Sequence, residues 1–310
     1  MSIKFGIAPI NWSNDDDPNL GKDISFQQCI EDMARAGFCG TELGSKFPRD
    51  IPVLQEALVA QGLQLASAWF STYFTVDNQT DTTLSRFLDH VSFTRALGAR
   101  FINVCECGHA IQGTSLPILG VQKPQFNDHQ WRQLIQGLHT LGRIAQDFDM
   151  HIVYHYHAGT GIFNLAEIDF LMQHTSPELV SLLLDTGHAA FADMSPVEII
   201  ERHGSRIRYV HLKDIRLSVL NTVVTEGLSF MDAVRTGVFT VPGDGSLDFR
   251  PIFASLKKRQ YSGWMIVEAE QDPAIAIPLE YAQKAMAYLT KIHLMDDGCD
   301  KVSPIDNRGN

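Results

Sequence analysis

The chain lacks an excess of basic residues. It has 310 residues, with 25 Lys and Arg against 36 Asp and Glu, and a formal net charge of −11. Proteins that bind nucleic acids carry basic surfaces that neutralise phosphates, so no nucleic-acid partner is expected. The chain also lacks an apolar run of the ~18 residues that span a bilayer. The first residues, MSIKFGIAPINW, lack the apolar segment of a signal peptide. The expectation is a soluble cytoplasmic protein with no membrane partner.

Cysteine is sparse and follows no regular spacing. The five residues are an odd number, which favours reduced thiols over disulfides: Cys29, Cys39, Cys105, Cys107 and Cys299. Cys105 and Cys107 are close enough to bind a soft metal, but no second pair completes a tetrahedral thiolate site. Burial in a strand is therefore the preferred interpretation of these two residues.

Short apolar runs alternate with helical segments along the whole chain, without a linker or a break in composition. Eight strand–helix units in about 290 residues predict a single (β/α)8 TIM barrel. The predicted domain covers residues 1–310, with an insertion between the seventh and eighth strands at about 215–249 and a short polar C-terminal tail. A doubly wound sheet is the alternative. That fold favours a glycine fingerprint after the first strand, where this chain has GIAPINW.

Polar side chains end four successive apolar runs in the second half of the chain, IVYHYHAGT, SLLLDTGH, RIRYVHLKD and GWMIVEAEQD. They are His155 and His157, Asp185 and His188, His211 and Asp214, and Glu268 and Glu270. The carboxyl ends of barrel strands meet at one face, which is where active sites of this fold lie. Because strand side chains alternate, His155 and His157 share one face, as do Glu268 and Glu270.

Asp185 and Glu268 are carboxylates at the ends of strands that are expected to be buried. A buried unpaired charge costs several kcal/mol, so Asp185 and Glu268 require a nearby cation. A lone strand histidine is more often a hydrogen-bonded core residue than a ligand, but four consecutive strands with such ends favour a divalent metal. Two imidazoles and two carboxylates suit Mn2+, Co2+, Fe2+ or Zn2+ better than Ca2+.

Further polar or aromatic residues fall at other predicted strand ends. Glu42 ends the second strand, and Lys213 follows His211. Both are interpreted either as site residues or as ion-pair partners at the rim. Asn11 and Trp12 end the first strand. Trp12 and Trp69 either stack on a polyol or pack in the core.

Several motifs resemble the xylose isomerase-like, or sugar isomerase/epimerase, TIM-barrel superfamily over essentially the whole chain. They are DTGH, HLKD, GDG, the Gly-Trp-x-x-x-Glu strand, APINWSNDD, GFCGTELG and HYHAGT. The resemblance implies a cytoplasmic hydro-lyase that uses Mn2+ or Co2+, with glutathione as a helper. Its substrate would be a small cyclic polyol ketone, 2-keto-myo-inositol, which loses water to give a trihydroxycyclohexane-dione.

The resemblance also implies roles for individual residues. The superfamily binds its metal through Glu, Asp, His and Glu on the fifth to eighth strands, and Asp185, His211 and Glu268 match three of these positions. His155 stands where the fifth-strand glutamate is usual and is assigned as the fourth ligand. The assigned catalytic residues are Glu42, His157, Lys213 and Glu268, and the assigned substrate-binding residues are Asn11, Trp12, His188 and Glu270. Of the catalytic residues, Glu268 or Glu42 would be the base, and His157 or Lys213 would assist the leaving hydroxyl.

Three other functions remain open. The first is a metal-dependent ketose epimerase or isomerase of the same superfamily. The second is a metal-dependent endonuclease, which the negative charge disfavours. The third is a non-catalytic sugar-binding protein with a structural metal. Helices on the outside of barrels often mediate self-association, so a homo-oligomer also remains open.

Overall fold

The computed structural model describes residues 3–120 and 122–296. The strands are β1 (Ile3–Ile7), β2 (Gly40–Glu42), β3 (Gln64–Ser67), β4 (Trp69–Thr72), β5 (Phe101–Glu106), β6 (His151–His155), β7 (Val180–Asp185), β8 (Ile207–Leu212), β9 (Asp214–Ile215), β10 (Phe239–Thr240) and β11 (Gly263–Val267). The helices are α1 (Phe26–Arg35), α2 (Ile51–Ala60), α3 (Thr80–Ala96), α4 (Asp128–Asp147), α5 (Leu165–His174), α6 (Thr186–Phe191), α7 (Pro196–His203), α8 (Leu217–Glu226), α9 (Phe230–Arg235), α10 (Phe249–Lys258) and α11 (Pro278–Asp296). A 3-10 turn at Pro9–Asn11 follows β1.

Parallel strands form one closed sheet. The order is β3-β2-β1-β11-β8-β7-β6-β5-β4. Only Ala68 separates β3 from β4, and its carbonyl oxygen accepts a hydrogen bond from the Asn103 amide in β5. The two segments therefore act as one interrupted third strand that closes the sheet. The predicted eight-stranded TIM barrel is confirmed.

Alternate side chains of the strands fill the barrel interior. They form one apolar cluster: Ala8, Ala66, Val153, Leu183, Tyr209, Trp264 and Ile266. Gly40 leaves room for the indole of Trp264, because a Cβ at this position would lie 2.4 Å from the ring. Since side chains alternate, the residues two positions after Val153, Tyr209 and Ile266 also point inward, at the carboxyl end of the barrel.

Two strands end earlier than the sequence pattern predicts. β6 ends at His155, so His157 lies in the following loop. β7 ends at Asp185, and His188 lies in the short helix α6 rather than at a strand end. For β7 the reason is helix capping. Asp185 Oδ1 accepts a 2.7 Å hydrogen bond from the His188 amide, so α6 begins directly after the strand.

The chain between β8 and α10 forms a small layer beside the mouth of the barrel. It contains α8, α9 and the antiparallel pair β9–β10. Its Phe230 and Phe239 pack in a second apolar cluster together with residues of other loops, such as Ile118 and Phe163. The Asp214 carboxylate accepts the backbone N–H groups of Gly245 and Leu247, which holds the GDG loop in place.

Within the described residues, no helix is both long and apolar enough to cross a bilayer. Cys29, Cys39, Cys105 and Cys107 are free thiols, and Cys105 is buried in β5. Cys299 and the predicted polar tail after Asp296 lie outside the described residues.

Candidate active site

Four side chains from neighbouring strands meet at the carboxyl end of the barrel. They are His155, Asp185, His211 and Glu268, all buried, and one ligand atom of each lies within 4.8 Å of the other three. His155 Nε2 lies 3.2 Å from His211 Nδ1 and 3.4 Å from Asp185 Oδ2. His211 Nδ1 lies 3.5 Å from Asp185 Oδ2 and directly contacts Glu268 Oε2. We call these residues the four-residue cluster.

The spacing within the four-residue cluster suits a divalent ion. Metal–ligand distances of about 2.0–2.2 Å place neighbouring tetrahedral ligands about 3.3–3.6 Å apart, close to the three distances among His155, Asp185 and His211. Asp185 Oδ2 is buried and accepts no hydrogen bond from the described residues. Since an unsatisfied buried carboxylate oxygen is costly, the donor set and this oxygen both fit a bound metal.

Hydrogen bonds outside the cluster orient both of its imidazoles. His155 Nδ1 lies 2.7 Å from the Tyr156 carbonyl oxygen. His211 Nε2 lies 3.1 Å from Glu42 Oε1. When each ring donates its N–H to that oxygen, the lone pair of the other nitrogen faces the cluster. These two hydrogen bonds therefore aim His155 Nε2 and His211 Nδ1 at the centre of the cluster.

Glu42 is the centre of a buried hydrogen-bond network. In addition to His211, its Oε1 accepts hydrogen bonds from Ser67 Oγ at 2.9 Å, Asn103 Nδ2 at 2.7 Å and the Tyr209 hydroxyl at 2.8 Å. Burial favours the neutral acid, but His211 outweighs it and the pKa of Glu42 is lowered. Glu42 is therefore ionised and tied to His211, which is the geometry of a residue that positions a ligand.

The other buried carboxylates of the site are also ionised. Burial is the largest influence and opposes ionisation, but Lys213 and the neighbouring histidines outweigh it and lower the pKa of Asp185, Glu268 and Glu270. Burial also disfavours the imidazolium form of His211, yet Glu268 and Glu42 raise its pKa well above the usual range. The site thus favours positive charge, whether on an ammonium, an imidazolium or a metal ion.

A second group of three buried residues adjoins the first. His157 Nε2 and His188 Nε2 lie 3.7 and 3.9 Å from Glu270 Oε1, and these residues could also hold a metal ion. We call them the three-residue cluster. The Lys213 ammonium lies against it, 2.7 Å from Glu270 Oε2. Burial lowers the pKa of His157, but the hydrogen bond and charge of Glu270 outweigh it, so the net pKa is raised.

Both clusters contribute to the walls of a cavity of about 160 Å³. The acidic and basic groups that line it are Asp15, Asp16, Glu42, His157, His211, Glu268 and Glu270. The cavity is therefore small, and proton donors and acceptors surround it.

The rim of this cavity contains four residues that the sequence did not single out, Asp15, Asp16, Ser71 and Gln112. Trp69, which the sequence offered either as a surface for a polyol or as a packing residue, lines the cavity with them. Trp69 is edge-on to the His155 imidazole with ring centroids 5.5 Å apart, and its indole N–H donates to Ser71 Oγ. Gln112 donates to Asp16 Oδ2 at 3.3 Å, which joins two loops. The acidic run after β1 was the only sequence signal for Asp15 and Asp16, and it did not show that the loop turns toward the cavity.

Four residues that were assigned to catalysis or substrate binding do not line the cavity. Trp12 is buried in the core and donates its indole N–H to Asp32 Oδ2, because the 3-10 turn after β1 directs it away from the mouth. The prediction that Trp12 contacts substrate is wrong. Asn11 Oδ1 accepts the Ala269 amide at 3.2 Å and so fixes the backbone between Glu268 and Glu270.

His188 and Lys213 are fully buried behind the cavity wall. The geometry therefore gives no support to direct substrate binding by His188 or to proton donation by Lys213 to a leaving group. Lys213 is not a rim residue either, since its side chain is 0% exposed.

Comparison with known proteins agrees with this architecture. The profile of the family described as "Xylose isomerase-like TIM barrel" matches residues 30–292. The inosose dehydratase of Geobacillus thermodenitrificans is 50% identical over 287 residues, which cover 93% of this chain and 96% of that protein. The inosose dehydratase of Bacillus cereus strain AH820 is 50% identical over 288 residues, with the same coverage of each chain.

Solved structures with much lower identity share the fold. The IOLI protein with a binding zinc atom has a TM-score of 0.69 at 13% identity, covering 94% of this chain and 97% of that one. The probable 3-DHS dehydratase AsbF from Bacillus anthracis has a TM-score of 0.71 at 14% identity, covering 93% and 98%. The chain therefore belongs to the xylose isomerase-like TIM-barrel family and, within it, groups with the inosose dehydratases.

Proposed function

We propose that this protein is a metal-dependent dehydratase that removes water from 2-keto-myo-inositol (inosose) to give a trihydroxycyclohexane-1,2-dione. The observation that carries the proposal is the four-residue cluster, because two of its members, His211 and Glu268, also line a small cavity. Relatives named as inosose dehydratases at 50% identity supply the substrate and the reaction.

In this proposal His155, Asp185, His211 and Glu268 hold one divalent ion, with Mn2+ or Co2+ favoured by the mixed nitrogen and oxygen donors. When bound, the ion supplies a Lewis acid that makes the proton beside the ketone easier to remove. We also propose that glutathione stimulates the dehydration.

Two residues of the cavity wall are proposed to move protons. Glu268 is kept ionised by His211 and Lys213, and it accepts the proton from the carbon beside the ketone. The electrons of that C–H bond form a double bond to the next ring carbon, as the bond between that next carbon and its hydroxyl breaks. His157, whose pKa is raised beside Glu270, donates its proton to the departing hydroxyl, which leaves as water. Tautomerisation of the resulting enol gives the dione.

The remaining residues of the wall are proposed to hold the substrate or its catalytic groups. The rim residues Asp15, Asp16, Ser71 and Gln112 offer polar atoms to the ring hydroxyls, and Trp69 offers an aromatic face. Glu42 positions His211. The proposed partner is thus a small polyol ketone rather than nucleic acid or membrane, and the proposed location is the cytoplasm. Self-association remains part of the proposal.

The test is a direct assay of the purified protein. With inosose and Mn2+, we expect the ultraviolet absorbance of the enolised dione to appear, and we expect none after the metal has been stripped. Chromatography of the same mixture distinguishes this product from sugar epimers. Interconversion of ketoses without loss of water would refute the proposed reaction.

A further inference from the structure

The Lys213 ammonium occupies a closed polar pocket between the two clusters. Nζ lies 2.8 Å from Glu268 Oε1, 2.7 Å from Glu270 Oε2 and 3.0 Å from His188 Nε2. Asp185 Oδ2 is 3.7 Å away, and the ring centroid of Phe239 is 4.9 Å away. Three carboxylates, an imidazole nitrogen and an aromatic face thus surround one ammonium, which is the environment of a bound cation.

The backbone around Lys213 is built to keep its side chain there. The Thr186 hydroxyl donates to the Lys213 carbonyl oxygen at 2.6 Å and accepts the Lys213 amide at 2.9 Å. Gly187 leaves the space through which the lysine side chain passes, because a Cβ at this position would lie 2.3 Å from Lys213 Cγ. The DTGH segment therefore fixes the lysine of the HLKD segment, and the position of the ammonium does not depend on a flexible surface side chain.

The ammonium uses atoms that the three-residue cluster would need for a metal. It donates toward His188 Nε2 and pairs with Glu270, two of the three members of that cluster. An ion bound to these residues would need the same lone pair of His188 and would meet the positive charge of Lys213. The four-residue cluster keeps its ligand atoms free of the ammonium. Lys213 Nζ pairs with Glu268 through Oε1, at 2.8 Å, whereas Glu268 Oε2 faces His211. Asp185 Oδ2 is 3.7 Å from Nζ.

We propose that Lys213 is the resident cation of the three-residue cluster, so that the protein binds one divalent ion and not two, an inference that rests on the proposed metal at the four-residue cluster. Lys213 thus replaces a second metal ion at this position and holds Glu268 and Glu270 in place from behind the cavity. Removal of its charge makes His157, His188 and Glu270 available as a second metal site.

The experiment counts ions in full-length protein saturated with Co2+ and freed of unbound metal. We expect one Co2+ per chain in the natural protein and two in Lys213→Met, which keeps an unbranched side chain one atom shorter and removes its charge. The visible absorption of Co2+ should change in Lys213→Met as imidazole ligands are added. A Lys213→Met/His188→Ala double variant should return to one ion per chain.

Two outcomes would overturn the proposal. One is two Co2+ ions in the natural protein. The other is a single ion in a Lys213→Met variant whose circular dichroism matches that of the natural protein. If Lys213→Met does not fold, Glu270→Gln gives the answer, since it should still bind one Co2+ at unchanged affinity if Lys213 occupies the second cluster. Loss of an ion in Glu270→Gln would contradict the proposal.

The metal count and the reaction can fail separately. One ion per chain without turnover of inosose would leave the role of Lys213 intact and refute the proposed substrate. Two ions per chain with full turnover of inosose would refute the role of Lys213 and leave the proposed substrate intact.

Discussion

Replacing Glu42 with glutamine should weaken metal binding more than it changes the folded structure. Glutamine keeps an oxygen that can accept from Ser67, Asn103 and Tyr209, all within 2.9 Å of Glu42 Oε1. It removes the charge that faces His211 Nε2 at 3.1 Å. Loss of such a partner of a metal-binding histidine typically lowers metal affinity 10- to 100-fold, or about 1.4–2.8 kcal/mol.

The assay is a titration of metal-free protein with Mn2+, followed both by competition with a chelating dye and by recovery of turnover. We expect Glu42→Gln to need about 10 to 100 times more free Mn2+ for half-maximal activity. At saturating Mn2+ most of the turnover number should return, because Glu42 positions a ligand and does not exchange a proton with substrate.

Glu106→Gln is the matched control. Glu106 is also a buried glutamate at a strand end, and it accepts hydrogen bonds from Thr72 and from the backbone of Phe74, Thr75 and Gly108. It does not line the cavity, so its substitution should lower the melting temperature without changing Mn2+ affinity. If Glu42→Gln bound Mn2+ normally but lost turnover at every Mn2+ concentration, Glu42 would be the base and the positioning role would be wrong.

Three further predictions concern the metal, the acid and the stability of the fold. Exhaustive chelation should abolish turnover and added Mn2+ should restore it, whereas turnover that survived chelation would exclude the metal from the reaction. His157→Gln should lower kcat by about 10²- to 10⁴-fold while the metal content is unchanged, and full turnover would remove His157 from the acid role. His90 concerns stability: burial and the nearby Arg49 lower its pKa to about 4 in the folded protein. As the pH falls below about 6.5 the unfolded chain therefore gains a proton that the folded chain does not, and up to about 3 kcal/mol of stability is lost by pH 4. In His90→Phe the free energy of unfolding, measured with urea, should depend less on pH between 6.5 and 4. A pH dependence equal to that of the natural protein would contradict the lowered pKa.

The strand pattern was sufficient to predict the barrel and to bring eight polar side chains to one end of it, and the family resemblance then selected the four residues of the cluster. Val153, Tyr209 and Ile266 fill the interior, and the strict alternation of strand side chains then places His155, His211 and Glu268 on the same side, two residues further along. This part of the site follows from local periodicity and from the closure of a parallel sheet.

The rest of the site depends on tertiary contacts that the spacing of apolar residues along the strands does not predict. The turn at Pro9–Asn11 decides that Trp12 packs in the core. The position of Lys213, two residues after His211, predicts that both side chains point to the same side. How deeply Lys213 is buried depends on the space at Gly187 and on the Phe239 ring. The capping of α6 by Asp185 could have been read from the Asp-Thr-Gly-His order, because Asp is a common N-cap residue; that reading would have placed His188 in a helix.

Anomalous X-ray scattering from crystals of the protein soaked in Mn2+ would locate the bound ion. We expect one manganese peak within bonding distance of His155 Nε2, Asp185 Oδ2, His211 Nδ1 and a Glu268 oxygen. A peak among His157, His188 and Glu270 instead, or no peak at the four-residue cluster, would contradict this prediction.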